Sequence, residues 1–272
     1  MEDAHMDDAS FGGGLRLGSL RGQVTAEEWT ARVDLAAAYR LTDHFGWSDM
    51  IATHISARVP GEPGAFLLIA HGVLFGEVTA SSLLKVDMDG RVLLQPQFPD
   101  GLPYNLQPAA FVIHSAIYRA RADAMAAMHT HTTAGVAVSS LQCGLLPLTQ
   151  TATRFTGRIS YHDFGGPERD PSEREKLAAH LGENDVMILR NHGLLTVGRS
   201  VSKCFNYMWG MEAACRAQLA AMACNTPLNV LPQAVVEKSQ EAYAPGATRE
   251  YGTKEWPGLL RMLDRIDPGF RE

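Results

Sequence analysis

The sequence predicts one α/β domain in which helices flank a mostly antiparallel sheet. Three observations carry this. From His54 to Gln95, short apolar runs alternate with turn residues such as Pro60-Gly61 and Asp89-Gly90, the pattern of short strands joined by tight connections. Elsewhere, segments with helical spacing alternate with strand-like runs, and no repeat is visible. Finally, no linker divides the 272 residues, a length that buries a substantial core.

The elements follow in order. Residues 1–22 carry Gly12-Gly13-Gly14 and little periodicity, so they read as a mobile arm ahead of a domain spanning 23–225. Thr25 with Glu28 forms a capping box, and Trp29, Val33, Leu35, Ala36 and Leu41 continue a helical apolar face until Gly46 stops it. Strand-like runs follow at Ile55–Val59, Phe66–Ile69 and Arg91–Leu94. A loop from Pro96 to Pro108 then leads into a helix through Phe111-Val112-Ile113 and Tyr118-Arg119. Ala124 to Met128 is a strand ending at His129, and Thr132 to Ser140 is a helix. Beyond lie a strand at Arg158–Tyr161, a helix opened by Asp170-Pro171, a strand at Asp185–Arg190 and a long helix over Val201–Met222. Residues 226–272 read as a C-terminal tail, a candidate for packing at a subunit interface.

Composition narrows the function. Hydrophobic residues at 46% and charged ones at 20% describe an ordinary globular chain, and the net charge of −6 with scattered Lys and Arg offers no footprint for nucleic acid or an anionic membrane. No apolar stretch reaches the about 20 residues needed to span a bilayer, and the N-terminus is acidic, so the expected location is the cytoplasm. The four cysteines lack C-x-x-C or scaffold spacing and read as reduced thiols.

Chemistry gathers at His129-Thr130-His131. Alternate strand positions face the same way, so two imidazoles address one point, and His192 stands after a second strand-like run. Three neutral imidazoles suit Zn, Fe, Cu or Ni and leave coordination positions free for water or substrate. Capping or carbonyl-bonding roles for each histidine are the competing reading.

Several ordered motifs extend this. Gly46-Trp47-Ser48-Asp49, Thr53 to Arg58, Thr79 to Asp87, His114 to Tyr118, His129-Thr130-His131-Thr132, Tyr161-His162-Asp163 and Leu189 to Leu195 together resemble the class II aldolase/adducin family, in its adducin-like bacterial branch. The resemblance covers roughly residues 25 to 222. It implies a three-layer α/β/α fold on a central, mostly antiparallel sheet, a homotetramer, and a divalent metal at the positions matching His129, His131 and His192.

Departures from the family pattern shape the expected activity. Sugar-phosphate aldolases of the family carry a catalytic glutamate four residues before the helix histidine, where this chain has Ala110, and the phosphate-binding Gly-Asn pair is replaced by Thr53-His54. Losing a positioned acid/base group forfeits about 10²- to 10⁴-fold in rate. Similarity to family members of aminocoumarin antibiotic biosynthesis, which oxidatively shorten a prenylated 4-hydroxyphenylpyruvate, implies a non-haem Fe(II) oxygenase of secondary metabolism. Its expected substrates are an aryl 2-oxo or 2-hydroxy carboxylate and O₂, and its reaction an oxidative decarboxylation. A Zn- or Mn-dependent aldolase or decarboxylase on an unphosphorylated acid, and a non-enzymatic adducin-like interaction protein, are the alternatives.

Supporting roles are expected of further residues. His54 and His114 are candidate acid/base substitutes, although a helix histidine beside Val112 and Ile113 is more commonly a bonded core residue. Trp47, Phe111 and Phe155 are candidates to cover an aromatic substrate, and Arg154 to receive its carboxylate; packing and capping are the plainer roles. His162-Asp163 reads as a loop-structuring pair, and Tyr243 and Tyr251 lie in the tail.

Overall fold

A computed structural model describes residue 15 and residues 17–98, 105–166, 171–243 and 251–272, the side chains of 171–174 excepted. The long first helix α1 (Ala26–His44) starts where Thr25 accepts a hydrogen bond from the Glu28 amide, and stops before Gly46, whose φ of +68° a residue with a side chain rarely takes. Only half of the expected capping box forms. The Glu28 carboxylate turns inward to Arg32 Nε and Lys85 Nζ, both at 2.9 Å, instead of back to the Thr25 amide.

Eight strands form one sheet: β1 (His54–Val59), β2 (Glu62–Leu68), β3 (Leu84–Asp87), β4 (Val92–Leu94), β5 (Ala126–Thr130), β6 (Ile159–His162), β7 (Val186–Leu189) and β8 (Gly193–Gly198). Their spatial order is β4-β3-β2-β1-β5-β8-β7-β6, and every pairing is antiparallel except β6 with β7. The sheet is therefore mixed but mostly antiparallel. β5 and its neighbours β1 and β8 are buried at every position, as expected of strands covered on both faces.

Helices supply the two outer layers. α1 packs on β1 and against α6 (Val201–Ala223), which lies along β5 and β8. On the other face α2 (Pro108–Ala120) packs against α5 (Pro171–Leu181). The short helices α3 (Thr133–Ser139) and α4 (Gln150–Thr153) both rest on α6. Asp170, expected to open α5, lies outside the described residues.

Three expectations about the chain's organisation need correction. Residues 17–22 are not a free arm: Leu20 is buried, its amide donates to Ser81 Oγ, and a 3-10 turn spans Arg21–Gln23. Residues 1–14 and 16 of that arm lie outside the described residues. The expected tail forms α7 (Gln233–Ala242) and α8 (Trp256–Ile266), and Trp256, Leu263 and Phe270 enter the core of the same chain. Arg40 pairs with Asp267 at 2.7 Å, and Trp256 Nε1 donates to Asp34 at 2.9 Å, tying the tail to α1. Two strands also escaped the sequence pattern as strands, β3 and β8, the first because four residues are too few to show a period.

The Glu28 network is the most buried electrostatic element of the α1 layer. Arg32 is fully buried, and its Nη1 donates to the carbonyls of Ala80 and Leu83. Burial lowers its pKa, a trend that the Glu28 carboxylate opposes. Glu28→Ala should cost about 3–5 kcal/mol in urea unfolding, because it leaves the guanidinium buried without its counter-charge. Glu62→Ala, which removes a half-exposed partner of Lys85, should cost about 1 kcal/mol or less. Equal losses in the two variants would show that α1 is not anchored this way.

Candidate metal centre

Three histidines converge where the middle of the sheet ends. His129 stands opposite His54 in the β1–β5 register, and His131 follows two positions on. His192 comes from the β7–β8 turn, where Asn191 takes a φ of +57°. A Cβ on the next residue, Gly193, would stand 2.4 Å from the Thr130 carbonyl oxygen, so only glycine lets the turn close against β5. The nitrogens of the three imidazoles that can act as ligands lie within 4.8 Å of one another. His129 is buried and the other two half-buried, so the cluster opens on one side.

Hydrogen bonds settle which nitrogen faces inward. His129 Nδ1 donates to the Leu194 carbonyl at 2.9 Å, and His131 Nδ1 donates to Asp49 Oδ2 at 2.9 Å. With each Nδ1 so engaged, Nε2 is the atom left to act as a ligand, and the two Nε2 atoms face each other at 3.0 Å. Burial and the surrounding imidazoles hold His129 well below the ordinary imidazole value, so it does not supply a proton to separate them. His192 is pushed down to about 4 by burial and by His131 and His162. Two nitrogens converging in this way can share a cation between them. Their separation is close to the about 3.3 Å edge of a tetrahedron built on Zn–N bonds of about 2.0–2.1 Å. The donor set therefore fits a divalent metal, held by a backbone-oriented and a carboxylate-oriented histidine.

A second layer of polar groups lies behind His129. The His54 ring centroid is 5.2 Å from that of His129, and His54 Nδ1 bonds His114 Nε2 at 2.7 Å. His114 Nδ1 bonds Ser56 Oγ at 2.5 Å, which bonds the Tyr118 hydroxyl at 2.8 Å. His114 has no exposed surface, and burial takes it down to about 3, so it is a bonded core residue and not a group in contact with substrate. It occupies Nδ1 of His54. Ala110 is buried in the first turn of α2, so no carboxylate stands at that position.

The other expected residues separate from the cluster. Trp47 packs among Phe45, Phe205 and Trp209 at ring separations of 5.3–5.8 Å, and Phe111 stacks on Phe66 at 6.2 Å, both inside the core. Arg154 and Phe155 line a cavity of about 1130 Å³ at the other end of the sheet, beside Asp185 and Val186 where β7 begins. His192 follows the end of β7, so Arg154 is not placed to meet a ligand held by the histidines of this chain. His162 bonds His180 at 2.8 Å, and Asp163 pairs with Arg190 at 3.3 Å, in keeping with a structuring role.

Sequence reasoning missed three contributors. Asp49 was visible only as part of a motif, since it meets His131 across 82 residues. Phe164, 52% exposed, sets its ring 5.8 Å from that of His192 at the open side. Glu212 on α6 accepts a 2.5 Å bond from Thr132, the residue after His131, and burial raises its pKa. A buried glutamate in a helix of mixed pattern carries no sequence signal of its partner.

Comparison with known proteins fits this geometry. The family described as Class II Aldolase and Adducin N-terminal domain matches residues 33–219. The crystal structure of an aldolase II superfamily protein from Pseudomonas syringae is 45% identical, covers 94% of this chain and all of its own, and superposes with a TM-score of 0.85. L-fuculose 1-phosphate aldolase from Glaciozyma antarctica is 27% identical over 91% of this chain and 94% of its own, with a TM-score of 0.78. Rat alpha-adducin is 40% identical over 252 residues, which are 88% of this chain and 33% of that protein. With its mixed sheet flanked by helices and its histidine cluster at the sheet's end, the chain belongs to the class II aldolase and adducin family.

Proposed function

We propose that the chain is a metal-dependent lyase that acts on the carbon–carbon bond next to the carboxylate of an unphosphorylated 2-oxo or 2-hydroxy acid. The observation that carries this is the pair of Nε2 atoms of His129 and His131 facing each other at 3.0 Å, with His192 beside them. These three residues would hold the metal, which as a Lewis acid polarises a chelating substrate oxygen. Asp49 and the Leu194 carbonyl keep the two rings in the ligating tautomer. His54, kept well below the ordinary imidazole value by burial, suits hydrogen bonding to a substrate oxygen better than outright proton capture. Phe164 at the open side favours a substrate with an apolar body.

The expected iron oxygenase gives way to this reading. The relatives described above bear aldolase and adducin names, and none of the three is named an oxygenase. Three histidines with an open fourth position is the arrangement of catalytic zinc, whereas the familiar non-haem iron triad includes a carboxylate. Zn²⁺ is accordingly placed ahead of Mn²⁺ and Fe²⁺. The homotetramer and the cytoplasmic location stay as parts of the proposal; no helix among the described residues is long and apolar enough to cross a membrane. A non-enzymatic, adducin-like interaction role is the second reading, supported by the 40% identity to alpha-adducin.

Metal analysis of the purified protein, followed by anaerobic turnover of a panel of 2-oxo and 2-hydroxy acids, separates these readings. Turnover with Zn²⁺ or Mn²⁺ without O₂ is expected. Strict dependence on Fe²⁺ and O₂ would restore the oxygenase, and a folded protein that takes up no metal would favour the interaction role.

Two substitutions probe the ligand set. His192→Ala should leave a folded protein of unchanged subunit number that binds metal far more weakly and does not turn over, while His162→Ala should be much milder. The reverse ranking would reassign the third ligand. Asp49→Asn should weaken metal affinity about 10- to 100-fold by chelator competition, with little change in thermal stability.

A further inference from the structure

A cavity of substantial size lies away from the histidines. It lies beyond the opposite ends of β5 and β7, beside Asp123 and Asp185, and at about 3.3 Å per strand residue the separation is on the order of 15 Å. Its volume of about 1130 Å³ exceeds what a few waters need and matches that of small-molecule sites.

The charges on its walls are unevenly used. Arg121 is committed to Asp123 and Asp185, at 2.8 and 3.0 Å. Arg154 has no carboxylate within ion-pair distance among the described residues: its Nη2 donates to the Asn206 side chain at 2.8 Å, and its guanidinium stacks 3.9 Å from the Tyr251 ring centroid. Lys203 is in the same position, with its Nζ 5.6 Å from the Tyr207 ring. Burial lowers the pKa of Arg154, a trend that Tyr251, Tyr207, Tyr243 and Glu255 oppose. Lys203 also sits in the first turn of the 23-residue helix α6, which holds no acidic residue there. A cation at that end opposes the helix dipole, so the turn is deficient in negative charge.

The pocket wall is shaped around Arg154. Gly210 lies inside α6, where glycine costs about 0.5–1 kcal/mol relative to alanine. A Cβ there would stand 2.8 Å from the Phe155 ring and 3.0 Å from Arg154 Nη1, so the glycine makes room for both. Tyr207, Tyr243 and Tyr251 supply flat surfaces on the same cavity.

We propose that this cavity is a second small-molecule site, which takes a phosphate or carboxylate oxyanion carried on a flat apolar body, with Arg154 and Lys203 as the anion receptors. Among the described residues neither cation has a carboxylate within ion-pair distance, and an oxyanion would supply a counter-charge. The rings of the tyrosines cover the rest of the ligand. The proposal is independent of whether the histidine cluster holds a metal.

Isothermal titration of the full chain with inorganic phosphate, adenosine 5′-monophosphate and phenylacetate distinguishes phosphate from carboxylate and tests the flat body. Saturable binding of at least one ring-bearing probe, tighter than inorganic phosphate, is expected. Arg154→Met and Lys203→Met should each weaken it about tenfold or more, the scale of a lost charge-assisted hydrogen bond, while His129→Ala leaves it unchanged. Lys203→Met keeps the test decisive if Arg154→Met fails to fold. No saturable binding by any probe, binding indifferent to both cations, or loss in His129→Ala would each overturn the proposal. A changed subunit number by light scattering in Lys203→Met would identify the cavity as a contact between copies and overturn it too.

Discussion

The register of β5 between β1 and β8 is the constraint on which the site depends. It sets His129 opposite His54 on one side and Leu195 on the other, which brings the Leu194 carbonyl to His129 Nδ1. A slip of one residue would send both histidines of the pair to the α6 face, where Thr130 now meets Met208, and would bury them against apolar side chains. Full burial of all three strands fixes that register, because every side chain on either face has a packed partner. The chemistry at the rim is thus specified by the core and not by the loops.

Around that register the polar groups form a graded series. The outermost, Asp49, is half exposed and costs little to keep charged. Behind it come the three imidazoles, and behind those the His54, His114, Ser56 and Tyr118 chain, wholly inside. Burial disfavours the charged form of the enclosed rings: it lowers His192, His129, His54 and His114 alike. Neutral rings suit metal binding, since a protonated imidazole cannot ligate. The apolar packing that stabilises the sheet therefore also prepares the donors.

Much of this was legible in the chain. The His-x-His spacing and a third histidine between two apolar runs mark the cluster, because strand periodicity is local and survives in the sequence. The capping Thr25 and the stop at Gly46 likewise bound α1 correctly. What failed was whatever depends on contacts distant in sequence. Arg154 and Phe155 read as site residues because they are the right chemical types, yet α4 carries them to the opposite end of the sheet. Glu28 read as a cap because it lies three residues after Thr25, but Arg32 and Lys85 compete for its carboxylate more strongly than one backbone amide. Residues 226–272 read as a tail because their contacts with α1, such as Trp256 to Asp34, lie more than 200 residues away in sequence.

Gly193 sets a limit on how this scaffold varies. The residue is pinned between the Thr130 carbonyl and the His131 ring, and Asn191 two positions earlier holds a left-handed backbone, so the turn that presents His192 has almost no freedom to change in length or composition. Diversification of the chemistry then has to come from surfaces that face the opening without bearing on the turn, such as the position of Phe164. For a designer seeking new reactions on this fold, those are the positions to randomise, with the histidine turn left as a fixed frame.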